Sequence, residues 1–182
     1  MSSDHVKKSL EQIFIRPVGV VKSGTKKPSL KSRADGISLE GGMERLKERS
    51  RTRSQRKAQI VINKELDGIL DGIEDFSHLI VLYWAHQTPD EGRKIIKVHP
   101  MGMKENPLTG IFATCSPARP NPVLMTPVRL EARENNVLKV AGLDAVDGSP
   151  VIDVKPYVPG YQVSGEVKVP WWMEKIFKKL SE

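Results

Sequence analysis

Short apolar runs recur along the chain, and nearly all of them are too short and too β-branched for helices. Residues 13–21, 58–62, 79–85, 95–98, 110–114, 123–130, 137–141 and 151–154 are such runs, each bounded by Gly, Pro, Asn or Asp. They predict about eight strands with little helix between them. In the first, Pro17 interrupts the β-branched pattern, which suits an edge or bulge better than a sheet centre. Over 65–73 a short helix is expected, weakened by Gly68 and Gly72. Only the C-terminus has a clear helical period: Pro170 suits a first turn, and Met173, Ile176, Phe177 and Leu180 then put one apolar face at i, i+3, i+4 and i+7. That face calls for burial against one end of the strand domain or against a second subunit; Trp171 and Trp172 with Lys175, Lys178 and Lys179 would also suit a membrane surface.

Thirteen prolines and 14 glycines, mostly at run boundaries, fit the turns of an all-β protein rather than alternating βα units. The expected fold is a compact closed β-barrel of about seven or eight strands with a C-terminal amphipathic helix. Its parts are a polar tail over 1–12, a barrel domain over 13–161 and a helical extension over 162–182. At 182 residues the chain can bury a real core. The longest apolar run, 79–85, is far too short to cross a bilayer, and residues 1–10 lack the apolar centre of a signal peptide. No membrane association is expected. A single cysteine, Cys115, excludes an internal disulfide and fits a reducing cytoplasm. Four histidines, at 5, 78, 86 and 99, show no zinc spacing, so no metal is expected.

Charge alters this picture. The formal net charge is +7, yet residues 22–57 alone carry 12 basic and four acidic side chains, leaving the rest of the chain close to neutral. Within that window, 45–57 is a dense Arg/Ser/Lys run with almost no apolar residue, the composition of an exposed loop or arm. Two readings fit: a solvated insertion, or a cluster that neutralises nucleic-acid phosphates and releases their counterions, with Arg51 and Arg53 among the contacts.

Three segments hold more special residues than a scaffold needs. One is the apolar strand that ends in His86, Gln87 and Thr88, where the barrel opens; a histidine there suits a general base, a ligand clamp or a structural hydrogen bond. Another is 110–122, where Pro117, Pro120 and Pro122 stiffen a loop that presents Arg119 and Asn121. The last is 143–157, in which Asp147-Gly148-Ser149-Pro150 makes a tight turn that serves either a ligand or a hairpin. No dinucleotide-binding glycine motif, phosphate-binding loop or nucleophile elbow is present.

Taken in order, Ile15-Arg-Pro-Val-Gly-Val-Val-Lys-Ser23, Phe76-Ser-His-Leu79, His86-Gln87, Gly110-Ile-Phe-Ala-Thr114, Arg119-Pro-Asn-Pro122 and Asp147-Gly-Ser-Pro-Val-Ile-Asp-Val-Lys-Pro-Tyr157 resemble the TsaA-like, or TrmO-type, family of S-adenosylmethionine-dependent tRNA methyltransferases. The resemblance covers about 13–161 and implies a compact β-barrel. It also implies a homodimer that methylates the exocyclic nitrogen of threonylcarbamoyl-adenosine beside the tRNA anticodon. By the same resemblance, His86, Gln87, Cys115, Leu124, Met125, Asp147, Gly148, Ser149 and Pro150 are the expected S-adenosylmethionine-binding positions. Arg119, Asn121, Lys155 and Tyr157 match positions that hold or activate the modified adenosine, and Asp153 either orients Lys155 or satisfies the strand end. For proton removal the expected catalytic residues are His86, Tyr157 and Lys155, with Asp147 a further acceptor; the base stays open among them.

Two departures qualify the match. Cys115 and Leu124 stand where family members commonly carry Arg and Gly, and the family's early Pro-Arg-Gln segment gives way to the basic stretch ending at Lys57. A thiol cannot replace a planar cationic donor. Two alternatives to an enzyme therefore remain: a non-catalytic S-adenosylmethionine-binding module, favoured by those departures, and a plain RNA-binding barrel, favoured by the basic run but poor in stacking aromatics.

Overall fold

A computed structural model describes residues 13–33 and 36–181, so the tail expected over 1–12 lies outside the described residues. Ten strands form among them: β1 (Gly19–Ser23), β2 (Leu30–Arg33), β3 (Gly36–Leu39), β4 (Lys57–Ile62), β5 (His78–Trp84), β6 (Lys97–Val98), β7 (Thr109–Gly110), β8 (Val123–Glu134), β9 (Val137–Ala141) and β10 (Pro150–Pro156). Three α-helices accompany them: α1 (Gly42–Arg51), α2 (Asp90–Arg93) and α3 (Trp171–Ser181). Six strands close an all-antiparallel barrel in the order β1-β10-β5-β8-β9-β4, and β2-β3 and β6-β7 are separate two-stranded pairs.

Alternation builds the barrel interior. Ala58, Ile60 and Ile62 of β4, Leu79, Val81 and Tyr83 of β5, and Leu138 and Val140 of β9 point inward with Val21, Val128 and Val151, all of them buried. A second, smaller cluster of Ile95, Val98, Ile111 and Ala118 takes Ile37 from the β2-β3 hairpin and anchors a lobe beside the barrel. Gly19 is required where β1 crosses β4, since a Cβ there would overlap the Val61 carbonyl.

The barrel's joints differ in extent. β5 and β8 pair from His78–Arg129 through Trp84–Val123, whereas β1 and β10 pair only at Gly19–Val151 and Val20–Pro150. Beyond those two pairs the seam continues through single backbone bonds, Val21 N to Ser149 O (2.9 Å) and Gly148 N to Val21 O (2.9 Å).

Several expectations need correction. The barrel has six strands, not seven or eight, because the runs at 95–98 and 110–114 pair with each other as β6-β7 outside it; the first apolar run becomes a strand only from Gly19, and upstream Ile13 and Phe14 are exposed. The segment 110–114 contributes only the end of β7 and then turns as a 3-10 helix. Residues 65–73 form turns, with Gly68 and Gly72 both at φ 80°, a conformation that ends helices. The basic run is not a loose arm: α1 occupies 42–51 and lies against α3. In α3 the buried side chains are Trp172 and Ile176, so the inward face is turned from the expected one, and Phe177 stays exposed. None of the helices among the described residues is long and apolar enough to cross a membrane.

Candidate functional site

β5 runs toward the same end of the barrel at which β8 and β10 begin, so its terminal residues meet the turn before β10 and the loop before β8. The chain is held there by backbone bonds: Ala85 N donates to Pro122 O (2.8 Å) and Thr88 N to Ala85 O (2.9 Å). His86 and Gln87 then project into solvent, while Thr88 is buried and donates to Pro117 O at 3.4 Å.

The turn opposite is tightly fastened. Ser149, 1% exposed, places Oγ 3.2 Å from His86 Nδ1. Gly148 sits at φ 80°, the left-handed region that favours glycine, and a Cβ on it would stand 3.9 Å from His86 Nε2, so His86, Gly148 and Ser149 lie together as one polar cradle. Asp147 Oδ1 accepts the Ser23 amide at 2.9 Å and Oδ2 pairs with Lys26 Nζ at 2.8 Å. The Lys26 ammonium, followed by the Ser23 amide, pulls the Asp147 carboxyl below the ordinary aspartate range, so it is ionised and already engaged. Gln87 Nε2 reaches the Lys26 carbonyl at 3.3 Å, closing the group.

The proline loop contributes differently from its sequence expectation. Arg119 folds back: Nε donates to Ser116 O at 2.7 Å and its other arm to Thr114 O. A guanidinium therefore lies beside Cys115, where the resemblance finds an Arg missing, although it comes from four residues downstream. Cys115 and Asn121 are exposed. On β8, Leu124 packs against the barrel core while Met125 turns outward, 63% exposed. Trp84, two residues before His86, carries the Arg93 guanidinium 5.5 Å over its ring.

Lys155 and Tyr157 are not part of this group. β10 carries them away from Ser149: Lys155 is opposite Ile80 and the Tyr157 amide binds His78 O, at the start of β5. Roughly 20 Å of strand separates Ser149 from Lys155, at about 3.3 Å per residue. There Lys155 pairs with Asp153 at 2.6 Å, which raises its pKa above 10.5, so it is a charged donor rather than a base at neutral pH. The Tyr157 ring lies 6.2 Å from that of Tyr161.

Sequence reasoning missed the support of the turn. Asp144 accepts from Arg49 at 2.8 Å, with Arg56 at 3.7 Å, and its carbonyl accepts the buried Tyr83 hydroxyl at 3.0 Å. Burial and Arg49 together lower the Arg56 pKa. Arg53 Nε donates to Gly142 O at 3.4 Å, while Arg51 projects from the end of α1. Partners 60 to 120 positions apart leave no local signal; only the density of Arg beside an acidic turn hinted at them. No group of three or more metal-ligating side chains occurs among the described residues.

The chain is similar in sequence and fold to known proteins. Residues 45–163 match the family described as the tRNA-methyltransferase O N-terminal domain. A probable S-adenosyl-L-methionine-binding protein of Methanothermobacter thermautotrophicus is 42% identical over 147 residues, covering 80% of this chain and 90% of that protein. The tRNA (adenine(37)-N6)-methyltransferase of Escherichia coli is 44% identical over 92 residues, 48% of this chain and 39% of that one. A crystal structure of TrmO from Pseudomonas aeruginosa superposes with a TM-score of 0.62 at 25% identity, over 90% of this chain and 62% of that one. The chain thus spans about three fifths of the solved structure's length.

Proposed function

The chain belongs to the tRNA-methyltransferase O N-terminal domain family, and on that premise we propose that it is an S-adenosylmethionine-dependent methyltransferase acting on tRNA. The observation that carries this reading is the cradle formed by His86, Ser149 and the bare Gly148 at the open end of β5. A relative with 90% of its length matched is named for S-adenosylmethionine, and another acts on adenine 37 of tRNA.

The residues present suit that cofactor. His86, Gln87 and the Asp147–Pro150 turn offer hydrogen-bonding groups around the cradle, the outward-facing Met125 offers apolar surface, and Arg119 is held on the carbonyls that flank Cys115. Bound there, S-adenosylmethionine supplies a methyl group on a sulfonium, already activated for displacement. The protein's work is then to align an acceptor and exclude water. Asp147, engaged by Ser23 and Lys26, shapes the turn and does not take a proton; His86, exposed beside the cradle, is the base that the geometry favours.

The finer reading is that the acceptor is the exocyclic nitrogen of threonylcarbamoyl-adenosine. Lys155, held as a cation by Asp153, suits the carboxylate of its threonyl group, and Arg119, Asn121 and Tyr157 are the other polar contacts. Because roughly 20 Å separates Lys155 from the His86 cradle in one chain, a second copy supplies it. The outer face of β5 supports such a homodimer: Leu82 lies opposite the exposed Met125, and Trp84 opposite Val123. A free thiol at Cys115 accords with a cytoplasmic enzyme.

Calorimetry with S-adenosylmethionine comes first, and absence of heat above background refutes the cofactor reading. Nucleoside mass spectrometry after incubation with cofactor and tRNA follows. A gain of one methyl on threonylcarbamoyl-adenosine is expected; binding without that gain leaves a non-catalytic module.

A further inference from the structure

An open cleft of about 430 Å³ lies on the far side of the loop that fastens Asp147. Its walls are the segment 23–27 and α1, and its cations are Lys26, Lys27, Arg45, Arg49, Arg56 and Lys57, facing Glu48 as the only acid. We propose that this cleft docks the phosphodiester backbone of the RNA, with Lys27, Arg45 and Lys57 as the phosphate contacts; the proposal rests on the tRNA reading and assigns its binding surface.

Half of the cations are already committed. Arg49 and Arg56 hold Asp144, and Lys26 holds Asp147, so they form the back wall and brace the turn. Lys27 and Arg45 make no hydrogen bond or ion pair with a described residue, and both are exposed. Lys57 has a solvent-facing pair with Glu131 at 3.4 Å, a contact that exchanges readily for a phosphate. Three available positive charges lining a concave, open surface suit a polyanionic strand that enters and leaves. A flat anionic membrane would not reach into the cleft. Crowding of the cations adds to the case, since Arg49 itself destabilises the charge on Arg56 and a bound anion would relieve that repulsion.

Position gives the cleft its meaning. One loop separates the two surfaces: the Ser23 amide and Lys26 face Asp147, and Lys27 faces the cleft. Backbone phosphates seated on Lys27 lie next to the turn that cradles the cofactor, which places a neighbouring base at the mouth of the site. Arg51 and Arg53, the contacts expected from sequence, are not among the lining residues.

The test uses the full chain and an unmodified anticodon stem-loop RNA, followed by fluorescence anisotropy across a salt series. The variant Lys27→Gln/Arg45→Gln/Lys57→Gln is compared with a charge-matched control, Lys64→Gln/Lys94→Gln/Lys104→Gln. Three lost phosphate contacts lower the log–log salt slope by roughly 2 to 3 and weaken binding about tenfold or more at low salt. S-adenosylmethionine binding by calorimetry stays unchanged. Supporting results are that loss in the cleft variant with the control near wild type. Wild-type RNA binding with an unaltered slope in the cleft variant overturns the cleft and leaves the tRNA reading standing; equal losses in both variants do the same. Wild-type protein that binds no RNA overturns both. Phosphatidylserine vesicles that bind through these lysines while RNA binding is unaffected also overturn the proposal.

Discussion

The two ends of β10 are built on opposite terms. At its start, Ser149, Gly148 and Asp147 are tied to β1, to the end of β5 and, through Asp144, to the basic segment. At its finish, Lys155 has Asp153, Tyr157 has a ring neighbour, and the chain leaves through turns with mostly exposed side chains. One end is pre-organised by a single chain; the other presents polar groups outward. On the proposed reading, one continuous strand carries a cofactor-side group at its start and an acceptor-side group at its finish, roughly 20 Å apart.

The sharpest way to break this comparison is to separate the ends genetically. His86→Ala, removing the proposed base, should lower kcat about 100-fold or more, and Lys155→Ala should raise KM for the modified tRNA. Mixed and allowed to exchange, and assayed at tRNA well below the raised KM, the two impaired chains should regain about a quarter of wild-type activity if the proposed dimer forms, since half the dimers would then be mixed and each would have one intact site. No recovery would mean that each chain works alone. Next in size, Leu138→Ala, in the barrel interior, should cost about 3 kcal/mol in urea unfolding, and both ends should lose function together. Asp147→Asn should weaken S-adenosylmethionine binding about tenfold by calorimetry, since charged hydrogen bonds exceed neutral ones, while RNA affinity holds. Smallest of all, Arg49→Gln/Arg56→Gln should lower the melting temperature by a few degrees, as expected of partly exposed pairs.

Acidity distinguishes the ends as well. The Asp147 carboxyl is depressed, so its hold on the turn is complete above pH 3.8 and is lost only as pH falls through its lower folded value. Lys155 is raised, so its pairing is complete below pH 10.5 and is lost as pH climbs through its higher folded value. Between those limits neither Asp147 nor Lys155 changes charge. A break in the kcat profile inside that window reports another group, and Asp147→Asn should leave the break where it is.

Strands were the legible part of the sequence. β4, β5, β8, β9 and β10 follow short β-branched apolar runs with Gly, Pro, Asn or Asp at their boundaries, because a barrel wall needs apolar side chains to fill its interior and turns to close it. The β2-β3 hairpin and α1 gave no such signal: α1 buries no side chain, and its apolar residues are Met43 and Leu46. It stands by packing on α3, which local composition cannot announce. In the site, His86, Ser149 and Gly148 were readable as a strand end and a turn. Lys26, Asp144 and the brace of Arg49 and Arg56 were not, since each contact joins residues about a hundred positions apart. Arg119 was assigned outward, and its backbone bonds to Thr114 and Ser116 turn it inward.

The two-pair seam between β1 and β10 has a consequence for how the molecule breathes. Amides there have the least ladder behind them, so those of Val21 and Gly148 should exchange with deuterated solvent ahead of those in β5 and β8. Asp147, gripping the Ser23 amide and Lys26, is the clasp that closes this gap in the barrel. Whatever settles against the turn therefore also tightens the clasp, and occupancy of the site should register as slowed opening of the barrel itself.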